Sequence, residues 1–158
     1  TGSAEVAKRD AERLARVLAL VEAGKVCSPA AHYDAALVLQ HSRSPDHHKS
    51  AHAFARFAAD HGHPAARWLA AASWDRWHVS RGLPQFFGTQ LVRNAPTEPW
   101  CLVSMDPAST FEARDAWGMR PMAEMYARVL KMNDRSDLPA TEAVVTELGY
   151  ICAPKAWE

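Results

Sequence analysis

The stretch "SPDHHKSAHAFARFAADHGHPAARWLAAASWDRWHVSRG", residues 44–82, decides the fold class. It opens with Ser44 as an N-cap and Pro45 at the first helical position, where an N–H would have no intrahelical partner anyway. Ala51, Phe54, Ala55 and Ala58 then recur on one stripe at helical spacing, and Gly62 supplies a stop. The second half repeats the pattern as a helix from about Pro64 to Ser80 that stops near Gly82. Alanines at 65, 66, 70, 71 and 72 let neighbouring helices approach closely, so this helix is expected to be central and to draw Asp75 or Arg76 inward. Buried charges of that kind need partners.

Towards the N-terminus the helical pattern continues. Val6, Leu14, Val17, Leu18 and Val21 recur at three- and four-residue spacing between Ala4 and Gly24, an amphipathic helix. "SPAAHYDAALVLQH" adds Ser28 as N-cap, Pro29 at the first helical position, and Tyr33, Leu37 and His41 on one face. Helix starts at Pro29, Pro45 and Pro64 are spaced like tetratricopeptide half repeats, so tetratricopeptide-like helix packing is expected in the first half. Too few helices follow for a full solenoid.

Beyond Gly82 the periodicity changes. "FFGTQLV" and "WCLVSM", separated by "RNAPTEP", read as a small β-hairpin or extended pair within residues 86–105, with Pro96 and Pro99 confining any pairing to an edge. Helices return at "STFEARDAW", capped by Ser109 or Thr110, and at "PMAEMYARVLKM". The tail from Pro139 reads as one short helix and coil. The expectation is therefore a mainly α, compact helical domain spanning residues 1–158. The opening Thr-Gly-Ser has the look of an expression-tag remnant.

Charge limits the partners. The chain has 18 Lys plus Arg against 18 Asp plus Glu, so no broad field favours nucleic acid or an anionic membrane. No apolar run spans a bilayer and no secretion signal opens the chain. Cys27, Cys101 and Cys152 are odd in number and far apart, without a C-x-x-C pair, so a reduced cytoplasmic setting is expected. Heavy use of Ala and Arg is what a GC-rich bacterial genome would encode.

Eight histidines carry the first chemical signal. His48 and His52 stand four apart, the spacing at which two imidazoles on a helix meet one metal ion, but no Glu in the intervening turn completes a zinc-protease motif. His47, His48, His61 and His63 therefore read as solvated surface groups. His41 and His52 lie on or beside apolar stripes, where a half-buried imidazole suits general acid–base work or simply bonds a backbone carbonyl. Asp75 can orient a histidine while Arg76 or Arg67 holds an anion, or these charges can form an internal salt bridge. Gln85 and Gln90 offer neutral donors and acceptors beside the permissive Gly88, suited either to fixing a substrate or to tying up loop backbone.

The ordered runs "ALVLQH", "SAHAFARFAADHG", "ARWLAAASWDRW" and "GLPQFFGTQ" resemble an uncharacterised bacterial family whose members carry Q-H, A-H, A-R-W-L-A-A-A-x-D-R and P-Q-x-x-G-T-Q motifs in that order. The resemblance covers residues 31–126 and implies roles for Gln40, His41, His52, Arg67, Trp68, Asp75, Arg76, Gln85, Gly88, Thr89 and Gln90. Phe87 stands where the family usually has Tyr, and Trp77 and His78 replace a Tyr and an aliphatic residue, so any function of that Tyr hydroxyl is lost here.

Together these readings lead to a small-molecule enzyme using His41, His52 and Asp75 for acid–base catalysis, with Gln40, Arg67, Trp68, Arg76, Gln85, Thr89 and Gln90 binding a small-molecule or peptide-like substrate. The reaction expected is hydrolysis, elimination, isomerisation or cyclisation, of the kind found in bacterial specialised metabolism. No cofactor is called for. Two alternatives stand beside it: a helical peptide-binding module anchored by Trp68, Trp74, Trp77 and Trp100, and a metal or haem protein ligated through His41 and His52.

Overall fold

A computed structural model describes residues 2–157 and is mainly α, with seven helices and one three-stranded sheet among those residues. Of the opening Thr-Gly-Ser, Thr1 lies outside the described residues. Contacts divide the chain into two units, residues 1–73 and 74–158, the division falling inside the fourth helix.

The first unit holds α1 (Gly2–Glu22), α2 (Pro29–Leu39), α3 (Pro45–Asp60) and the start of α4 (Ala66–Val79). Ser28 caps α2 as expected, its Oγ accepting from Ala31 N at 3.1 Å. Ser44 takes the cap position of α3 without a side-chain bond; the Ser42 hydroxyl instead accepts from Ser44 N at 3.1 Å. α2 and α3 pack extensively on each other, and their buried apolar groups are mostly small: Ala35, Ala36, Ala51, Ala55 and Ala58, with Leu39. Such side chains bring helix backbones close, which is the helix-pair packing the proline spacing predicts. α1 meets α2 more lightly. Its predicted stripe is only half right, because Leu14, Val17 and Val21 are half-buried while Val6 and Leu18 are exposed.

The second unit begins with the C-terminal part of α4. Gly82 ends that helix at φ 74°, a left-handed conformation that lets Gly82 N reach Val79 O at 3.0 Å and Leu83 N reach His78 O at 3.0 Å. An irregular segment leads to β1 (Leu91–Val92), which pairs antiparallel with β2 (Cys101–Val103), Leu91 opposite Leu102. The predicted hairpin is therefore present. Pro96 and Pro99 fall in its connection rather than in a strand, and β2 is not an edge, because β3 (Ile151–Cys152) pairs parallel with its other side, Leu102 opposite Ile151. The tail thus carries a strand after its helix, which the reading as helix and coil missed.

Between β2 and β3 come α5 (Phe111–Asp115), α6 (Met122–Met132) and α7 (Glu142–Glu147). Thr110 and Thr141 cap α5 and α7 by accepting from Ala113 N and Val144 N. Val129, Leu130 and Val145 are fully buried, with Leu91, Trp100, Tyr126 and Ile151 packed around them. A disulfide joins Cys101 to Cys152 across 51 residues, their Cα atoms 5.8 Å apart, while Cys27 is free and exposed. The expectation of unpaired thiols fails for this pair because strand pairing, not sequence proximity, brings them together. With it goes the ground on which a reducing compartment was expected. No helix among the described residues is long and apolar enough to cross a membrane.

Candidate functional site

Asp75 is the most committed polar group of the second unit. It is fully buried on α4, and its two oxygens accept four hydrogen bonds. Oδ1 accepts from Phe86 N at 2.7 Å and Phe87 N at 2.8 Å; Oδ2 accepts from Thr89 N at 2.9 Å and Thr89 Oγ1 at 2.8 Å. Successive N–H groups converging on one anion form a nest, which requires a sharp reversal of the chain. Gly88 supplies it at φ 75°, and a Cβ there would lie 2.6 Å from Met122 Sδ. Burial pushes the Asp75 carboxyl above the ordinary carboxylate range, and the bonds from Phe87, Thr89 and Phe86 pull it back.

The glutamines serve the same loop. Gln85, also fully buried, donates from Nε2 to Gln90 O at 3.2 Å and to Val103 O at 2.6 Å, while its Oε1 accepts from Gln90 N at 2.7 Å. Gln90 donates from Nε2 to Thr89 Oγ1 at 2.9 Å, and its Oε1 accepts from Arg76 Nε at 3.2 Å. Five of the ten predicted site residues, Asp75, Arg76, Gln85, Thr89 and Gln90, thus form one connected set. These bonds fix residues 85–90 against α4 and β2.

Arg114 belongs to this set, and sequence patterning gave no sign of it. It is nearly buried on α5, donating from Nε to Phe87 O at 3.1 Å and from Nη2 to Arg120 O at 2.7 Å. Burial lowers its pKa, while the negative charge of Asp75 acts in the opposite direction. Burial likewise lowers that of Arg76.

The first-unit candidates are arranged differently. His52 is half-buried on α3, with Nδ1 2.9 Å from Ala70 O. A carbonyl only accepts, so Nδ1 carries the proton and Nε2 the lone pair. Burial lowers the His52 pKa, reinforced by the charge of Arg56 and opposed by the Ala70 bond. Gln40 is buried as the C-cap of α2. Arg67 and Trp68 are exposed. His41 was expected half-buried and is instead exposed, on the wall of a groove of about 690 Å³ that Leu14, Leu37, Ser42 and Arg43 also line.

His48 requires a correction of the opposite kind. Expected at the surface, it is fully buried, with Nε2 2.8 Å from Ser42 O. The signal was present, because His48 lies on the same helical stripe as Ala51, Ala55 and Ala58. His48 Nε2 and His52 Nδ1 are thus each bonded to a backbone carbonyl, and among the described residues no group of three His, Cys, Asp or Glu side chains could hold a metal ion. His63 is half-buried and stacks on Tyr33 with ring centroids 4.1 Å apart.

No protein-family model, curated protein or solved structure matches this chain.

Proposed function

We propose that the protein binds a small molecule in the first-unit groove and that His41 supplies acid–base chemistry there. The observation that carries this reading is that His41 is exposed on the wall of a ligand-sized cavity. Leu14, Leu37 and Val38 give the groove apolar walls. Arg43 can hold an anionic group, and Ser42 and Asp10 offer further hydrogen bonds, with Asp10 held by Arg13 at 3.1 Å. An imidazole so placed can take or give a proton in hydrolysis, elimination, isomerisation or cyclisation. On this reading the knot around Asp75 is scaffold.

A thermal-shift screen of a small-molecule library, run in parallel on the wild type and His41→Ala, tests the proposal. A compound should raise the melting temperature of the wild type and not that of the variant, while the two proteins melt within a few degrees of each other without it. Equal responses, or a variant that unfolds far below the wild type, would remove His41 from the binding machinery.

A further inference from the structure

The second unit contains a cleft of about 370 Å³ that none of the ten residues selected for the acid–base site lines, although Trp100, selected as a peptide anchor, does. Its apolar base includes Val79 and Val103, both almost fully buried, and two indoles, Trp100 and Trp157, line it as well. The charged residues lining it are Arg93 and Lys155, both basic. The Arg93 guanidinium carbon lies 5.1 Å from the Trp100 ring centroid, so cation and aromatic face are already associated.

The walls are held in place. Asn133 clamps the Trp100 backbone, its Oδ1 accepting from Trp100 N at 2.8 Å and its Nδ2 donating to Trp100 O at 2.8 Å. On the other side, the Cys101–Cys152 disulfide fixes the start of the 153–157 segment, and Trp157 N donates to Ser80 O at 3.1 Å to fix its end. A cleft whose aromatic walls are ordered beforehand binds with a smaller entropy cost than one assembled by its ligand.

We propose that this cleft is a binding site for small organic anions with a flat apolar body, of the aryl carboxylate class. The indoles and valines cover the ring, while Arg93 and Lys155 face the carboxylate. The volume, at the small end for ligand sites, admits a bicyclic ring system but not a long chain. This proposal rests on residues other than those of the His41 groove and stands independently of it.

Isothermal titration of the full chain with 2-naphthoate, and with uncharged 2-naphthamide as its control, tests the proposal. Naphthoate should bind the wild type more tightly than the amide does, with an affinity that falls as salt is added. The double variant Arg93→Gln, Lys155→Gln should weaken naphthoate about tenfold and the amide far less, since both side chains are exposed and their charges meet only the carboxylate. Trp157→Ala should weaken both compounds, with the melting temperature of each variant recorded to show that the unit remains folded. The proposal is overturned if the wild type binds neither compound, if it binds them equally, or if the folded double variant holds naphthoate as tightly as the wild type.

Discussion

The two units reach order by different routes. Residues 1–73 are built from local signals, with proline starts, glycine stops and stripes of alanine that pack helix on helix. Residues 74–158 contain short helices and strands of two or three residues, elements too small to persist alone. Their order comes from a few long-range ties: Asp75 to residues 86–89, Gln85 to Val103, Asn133 to Trp100, and Cys101 to Cys152. A helical unit can thus be specified by many weak, repeated preferences, whereas an irregular one depends on a small number of specific bonds. Losing one such bond should therefore cost the second unit more than a comparable change costs the first.

The largest expected effect is at Asp75. In Asp75→Asn one carboxylate oxygen becomes an amide NH₂ that faces donors, either the Phe86 and Phe87 amides or those of Thr89. Leaving buried donors without an acceptor should destabilise by about 3–5 kcal/mol, read as a lowered urea midpoint. A variant of wild-type stability would show that the loop does not depend on the carboxylate. That would dissolve the contrast between the units at its strongest point.

The disulfide should rank next. Removing a bond that closes a loop of this length, as in Cys152→Ala, should cost about 2–4 kcal/mol. The loss should fall on the second unit: hydrogen exchange should accelerate at Leu102 and Ser104, whose amides donate to Tyr150 O and Cys152 O, and not in α2 or α3. Uniform acceleration across both units would mean that they are not separable in stability.

The same contrast sets how much of the molecule is legible in the sequence. The first four helices, their caps and stops, and the hairpin can be read because each is signalled within a few residues. The inward position of Asp75 on α4 can be anticipated from the alanine-rich pattern of that helix. The destination of Gln85 cannot, because an amide side chain bonds equally well to ligand or backbone, and its partner Val103 is 18 residues away. Arg114 and Asn133 are illegible for the same reason. β3 is two residues long, below the length at which alternation registers, and with it the pairing of Cys101 with Cys152 is hidden. His48 differs: its stripe is legible in the sequence, and at this position the stripe outweighs the polarity of the residue.

In the first unit a single group should produce a small, pH-dependent effect. Burial holds the His52 pKa below its ordinary value, so the unfolded chain takes up the proton first as pH falls. The resulting stability is fully present above about pH 6.5 and declines as pH drops through that value towards the lowered folded pKa. Urea midpoints of the wild type and His52→Gln, measured at pH 7.5 and 5.5, should show a smaller pH-dependent loss in the variant. An equal loss in both would assign the acid sensitivity to other groups.

The smallest effect should have the opposite sign. Ser73 is fully buried on α4, and among the described residues its Oγ has no hydrogen-bond partner. Unlike Asp75 two positions on, it contributes a polar group to the interior without a bond in return. Ser73→Ala removes the orphan hydroxyl and substitutes a better helix former, so it should be neutral or stabilise by up to about 1 kcal/mol. Buried polar residues only two positions apart on one helix would then have opposite thermodynamic roles, decided by whether donors from elsewhere in the chain reach them. A loss of more than about 1 kcal/mol in Ser73→Ala would instead reveal a bonded hydroxyl, and burial alone would suffice to mark a polar group here as structural.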